Sequence, residues 1–122
     1  MIYYISKEPI ERFDVIPFTY VMLTDAKTHC QLFDKTDPVI VELTEDAPID
    51  YLPVASKVSN LMIKLSDETP ITEAIIMRLN KMFPQFSGLF TKAYLMNTEE
   101  EVRELIKSTF SSSYELVKEA NL

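Results

Sequence analysis

The sequence predicts an α+β fold, with an antiparallel sheet built mainly from the N-terminal half and packed against helices from the C-terminal half. Three observations predict it. Aromatic and β-branched residues with strand-like alternation dominate up to about Pro48, and apolar residues recur at helical spacing after it. Two apolar segments, Phe18 to Leu23 and His29 to Phe33, flank the polar run Thr24-Asp25-Ala26-Lys27-Thr28 and read as a hairpin. Near the C-terminus, Thr98-Glu99-Glu100-Glu101 has the spacing of a capping box, where Thr98 accepts from the N–H of residue 101 and three carboxylates sit at the positive end of the helix dipole. Strands followed by helices point to segregated layers rather than alternating ones.

Taken in order, Ile2-Tyr3-Tyr4-Ile5 reads as a first strand. Between Pro9 and Pro17 the apolar residues Ile10, Phe13 and Ile16 fit a loop or a single helical turn. The hairpin follows, and Val39-Ile40-Val41-Glu42-Leu43 extends it into a meander, with Pro38 at a strand start where its missing N–H costs nothing. Beyond Asp50, a candidate N-cap, Val54, Val58, Leu61 and Leu65 recur at spacings of four, three and four, which predicts one helix with a single apolar stripe. Thr69-Pro70 then predicts the start of the next helix, and its run of apolar residues from Ile71 stops before Pro84. Leu89 to Met96 is read as a strand feeding the capped helix at Thr98, whose inward stripe is Val102, Leu105, Ile106, Thr109 and Phe110. A second cap-like run, Ser112-Ser113-Tyr114-Glu115, restarts or bends a final helix docked by Leu116, Val117 and Ala120.

At 122 residues and 47% hydrophobic content the chain is one domain, residues 1–122, able to build a core without disulfides. Its lone cysteine fits a reducing, cytoplasmic setting, and neither a signal peptide nor a membrane-spanning run is visible.

Composition removes most chemistry. Gly88 is the one glycine, where average usage would supply about eight or nine, so glycine-rich phosphate cradles cannot be drawn. One His and one Cys cannot complete a structural zinc site, and the acidic residues Glu42, Glu45, Asp46 and Asp50 lack the pattern of a calcium loop. If residues 28–33 are extended, alternation sends Cys30 and His29 to opposite faces, so no nucleophilic dyad forms. No residue is therefore assigned a catalytic, cofactor or metal role, and no cofactor is expected. The formal charge of −7 opposes direct binding to nucleic acid and favours a basic protein partner.

The expected function is that of a non-enzymatic, regulatory interaction module for a protein partner. Its candidate interface is the acidic connection Glu42, Glu45, Asp46 and Asp50 together with the aromatic run Phe83, Phe86 and Phe90, which serves as an anchor if exposed and as core if buried. An uncovered sheet edge would also permit a homodimer. Two alternatives stand beside it: a nucleic-acid mimic that inhibits a basic DNA- or RNA-binding protein, and a small enzyme or ligand-binding domain that uses carboxylates without a signature.

Overall fold

Every strand pair among the described residues is parallel. The computed structural model describes residues 2–7, 18–45 and 52–119 of the chain. Within them the strands β1 (Ile2–Ser6), β2 (Phe18–Met22), β3 (Val39–Leu43) and β4 (Leu61–Leu65) form one sheet in the order β2-β1-β3-β4. The architecture is α/β, which corrects the expected antiparallel sheet. The cause is written in the strands themselves: Val39 to Val41 and Met62 to Ile63 are continuous apolar runs, buried on both faces as parallel strands are, and not the half-polar alternation of a meander.

The expected hairpin is replaced by a helical crossover. After β2 the chain enters a 3-10 turn (Leu23–Asp25), the short helix α1 (Ala26–His29) and a second 3-10 turn (Cys30–Leu32). Leu23, Ala26, Cys30 and Phe33 are buried, a helical spacing that packs this segment onto the sheet. Cys30 is buried on a helical face, not placed by the strand alternation expected for residues 28–33.

The single helix expected from Val54 to Leu65 is two elements, α2 (Leu52–Lys57) and β4. The last helical hydrogen bond runs from the Val58 N–H to the Val54 carbonyl, and then the Ser59 N–H donates to the Lys35 carbonyl while the Asn60 carbonyl accepts from Val39. With its backbone taken by other segments, residues 59–60 cannot continue the helix. Spacings of four, three and four happen also to place Leu61 and Leu65 on one side of a strand and Met62 on the other.

The third helix, α3 (Glu73–Met82), starts later than Thr69-Pro70 predicts, with Thr72 as N-cap accepting from the Ile75 N–H at 3.4 Å. It ends before Pro84 as expected. A 3-10 turn (Pro84–Phe86) leads to α4 (Leu89–Met96), a helix where a strand was expected. Gly88 caps it at φ +85°, a left-handed conformation open to glycine, and Phe90 and Ala93 face inward one turn apart. The helices α5 (Glu99–Thr109) and α6 (Ser111–Glu119) complete the chain, and the Thr98 cap is in place: its hydroxyl accepts from the Glu101 N–H at 3.3 Å and donates to the Glu101 carboxylate at 3.0 Å.

The main core lies between one sheet face and α1 to α5. Tyr3, Ile5, Val21, Val41, Ile63 and Leu65 meet Val54, Ile75, Leu79, Phe90, Val102 and Ile106 there. The opposite face carries a smaller cluster of Tyr4, Phe18, Ile40 and Met62, against which Leu116 of α6 packs. The expectations for Pro9 to Pro17, for Asp50 as a cap and for Ala120 lie outside the described residues, and so do Asp46 and Asp50 as interface candidates.

Candidate functional site

The sheet's second face holds a row of buried and half-buried ionisable groups. On adjacent strands Glu42 stands beside Lys64 in register, and Tyr4 donates to Glu42 Oε2 at 2.7 Å. The Ser6 hydroxyl donates to the Tyr20 hydroxyl at 3.2 Å, the Tyr20 hydroxyl lies 3.4 Å from the Ser6 carbonyl, and the Lys64 ammonium lies 4.3 Å over the Tyr114 ring. Burial, reinforced by the Glu42 carboxylate, pushes the Tyr4 phenol far above its ordinary value. Burial likewise lowers Lys64. Each polar group here already serves a neighbour, so the row reads as a satisfied core network, and Glu42 belongs to it instead of to a solvent-facing acidic loop. Glu45 is exposed, and its carbonyl, like that of Thr44, accepts from Arg78 Nη1, at 2.5 and 2.6 Å respectively.

The aromatic run folds inward. Phe83 is 4% exposed and Phe90 0%, and both meet Phe110, at ring separations of 4.7 and 6.2 Å. Phe86 is half-buried, 6.2 Å from Phe110 and at 87° to it. Phe83 and Phe90 are therefore core residues, and Phe86 borders a cleft of about 220 Å³ at the amino end of β4.

His29 and Cys30 occupy successive helical positions, whose side chains do not face each other. His29 meets the Tyr3 ring edge-on at 5.8 Å and the Phe33 ring at a tilt at 5.7 Å, while Cys30 is buried. Among the described residues no group of three or more His, Cys, Asp or Glu could hold a metal ion, and no helix is long and apolar enough to cross a membrane.

The surface that stands out is on α4. Phe90 and Ala93 turn to the core, while Leu89, Leu95 and Met96 stay in the open at 43%, 75% and 72% exposed. Tyr94 borders them at 36%. Asn80 of α3 donates to Thr91 of α4 at 2.6 Å, and one turn along each bonded face lie Met77, 52% exposed, and Leu95. Lys92 is the one charged residue within α4. Directly after the helix come the exposed carboxylates Glu99, Glu100 and Glu101, beside an open depression of about 490 Å³ lined by Thr98, Glu99, Glu100 and Arg103. Sequence reasoning missed this ridge because residues 89–96 were expected to be extended. The signal was present: Phe90 and Ala93 at a spacing of three fit one helical face, and Leu95, two residues past Ala93, falls off it.

No family model matches the chain, and no curated protein or solved structure matches it.

Proposed function

We propose that this chain is a non-enzymatic interaction module that docks a partner's amphipathic helix, apolar on one face and bordered by Lys or Arg, on the ridge of α4. The observation that carries the reading is Leu95 and Met96, adjacent and about three-quarters exposed, on a helix that buries only Phe90 and Ala93. Large side chains grouped in the open are a feature of recognition surfaces, whereas single ones need no explanation. The partner's charge is argued from the exposed carboxylates Glu100 and Glu101 at the end of the ridge and from the net charge of −7.

The mimic reading has less support, since acidic side chains here are partly spent within the fold: Asp67 pairs with Lys107 at 2.6 Å and Glu99 with Arg103 at 3.4 Å. An enzyme built on Tyr4, Glu42 and Lys64 has less support too, because Tyr4 is bonded to Glu42 and Lys64 lies over the Tyr114 ring.

The test uses a synthetic Leu/Lys amphipathic helix about five turns long and its Leu/Glu counterpart, titrated by fluorescence anisotropy. The Leu/Lys peptide is expected to bind, and Leu95→Ser with Met96→Ser to weaken it by about tenfold or more while the circular dichroism spectrum stays the same. Equal binding by the variant sinks the reading. Self-association that the same double substitution abolishes would replace the basic helix with a second copy of this chain.

A further inference from the structure

We infer that the cleft at the amino end of β4 is a binding site for one neutral aromatic ring that carries a single hydrogen-bonding group, such as a phenol or an indole. The inference stands on observations other than the α4 ridge and does not depend on it.

Place comes first. The cleft forms where Asn60, Leu61 and Met62 enter the sheet beneath the 3-10 turn Pro84–Phe86 and the junction of α5 with α6. Ligands of open α/β sheets gather at the carboxyl ends of the strands. This cleft is at the other end, so it is a recognition pocket added by the helices and not the fold's usual substrate crevice. Size comes next. At about 220 Å³ it is smaller than the roughly 300–1,000 Å³ typical of whole small-molecule pockets, yet larger than the roughly 150 Å³ that suffices for benzene. One ring fills it.

The lining selects the kind of ring. Buried Met62, Phe83 and Phe110 make the floor, with Phe86 half-buried at the wall. Phe83 and Phe110 are 4.7 Å apart at 53°, and Phe86 stands at 87° to Phe110, so the lining is a tilted aromatic cluster of the kind that a further ring joins edge to face. Among the described residues lining it, none is Asp, Glu, Lys or Arg, so a charged group would enter without a counter-ion. The polar groups are the amides of Asn60 and Gln85 and the hydroxyls of Thr109 and Ser112. Thr109 already donates to the Leu105 carbonyl at 2.8 Å, which leaves its oxygen to accept. Asn60, Gln85 and Ser112 are exposed at the rim, where one hydroxyl or N–H of the ligand can replace water.

The experiment is a two-dimensional NMR titration of the full chain with indole and p-cresol, with benzoate and benzylammonium as charged controls. The expected result is saturable shifts at the Asn60 and Gln85 side-chain amides and the Ser112 N–H for the neutral rings only. Ser112→Trp, which fills the mouth, is expected to weaken binding by about tenfold or more. Should that variant disturb the fold, Gln85→Ala serves instead and is expected to erase the preference for indole over toluene. N-acetyltryptophanamide and N-acetyltyrosinamide distinguish the sources: tighter binding than the free rings assigns the site to a partner's side chain, and weaker binding to a small molecule. Shifts that never saturate, charged rings that bind as well, or unaltered binding in both variants would overturn the inference.

Discussion

The Tyr114 hydroxyl closes the outer edge of β4: it accepts the Leu65 N–H at 3.0 Å and lies 3.3 Å from the Leu65 carbonyl. One residue earlier, Ser113 donates to the Ile63 carbonyl. Residues 63 and 65 point their backbone groups away from β3, so α6 supplies side chains where a fifth strand would supply a ladder. An open edge invites pairing with other chains, and this one is covered. Tyr114→Phe keeps the ring under Lys64 but removes the hydroxyl, and is expected to destabilise the protein by about 1 kcal/mol. Urea unfolding measures the loss, and faster hydrogen exchange at the Leu65 amide would assign it to the edge.

Alkaline pH acts on the other side of the same face. Burial raises both Tyr4 and Tyr114 above the ordinary phenol value, with Glu42 adding to the effect on Tyr4. A raised folded value means that the stabilisation is complete below the unfolded value of about 10 and is lost as pH climbs past it. Lys64, lowered by burial, has the opposite sign, so the comparison must isolate the phenol. Stability of the wild type is expected to fall more steeply than that of Tyr4→Phe above about pH 10. Parallel slopes in the two proteins would contradict the assignment.

Much of the architecture was legible locally and little of it globally. Thr98 and Glu101 formed the expected cap, Pro84 ended α3, and β1 and β3 fell where aromatic and β-branched runs placed them. Strand direction went astray because the polar run at Thr24 to Thr28 was read as a turn, although the connections from Met22 to Val39 and from Leu43 to Leu61 are long enough for parallel crossovers. Unbroken apolar runs at Val39 to Val41 argued the same way. At the candidate sites, the run Phe83, Phe86 and Phe90 stood out in the sequence, but not the meeting of Phe83 and Phe86 with Phe110 and Asn60, which only the tertiary fold brings together.

Gly88 was noted for its rarity, and its role is conformational. Its φ of +85° lies in the left-handed region, and a Cβ built there would meet nothing within 4 Å. Gly88→Ala therefore adds backbone strain without a clash and is expected to cost about 1 kcal/mol. Gly88→Asn is expected to cost less, because Asn tolerates this region better. Thermal unfolding of the two variants tests the ranking, and a larger cost for Asn would point to crowding instead.

Arg103 ties α5 to the exit of β4. Its guanidinium donates to the Ser66 carbonyl at 2.9 Å and the Thr69 carbonyl at 2.6 Å, while Glu99, one turn earlier, accepts the Ile71 N–H at 3.1 Å. These bonds hold residues 66–71 out of the helix that Thr69-Pro70 would otherwise begin, which explains why α3 starts only at Glu73. With the Arg103 side chain 13% exposed, removal strands two carbonyls, and Arg103→Ala is expected to cost about 2 kcal/mol. Arg103→Lys keeps the charge but not the planar fork that reaches both acceptors, so it should recover only part of the loss. Full recovery by Lys in urea unfolding would show that charge, through Glu99 and Asp67, matters more here than the two carbonyl bonds.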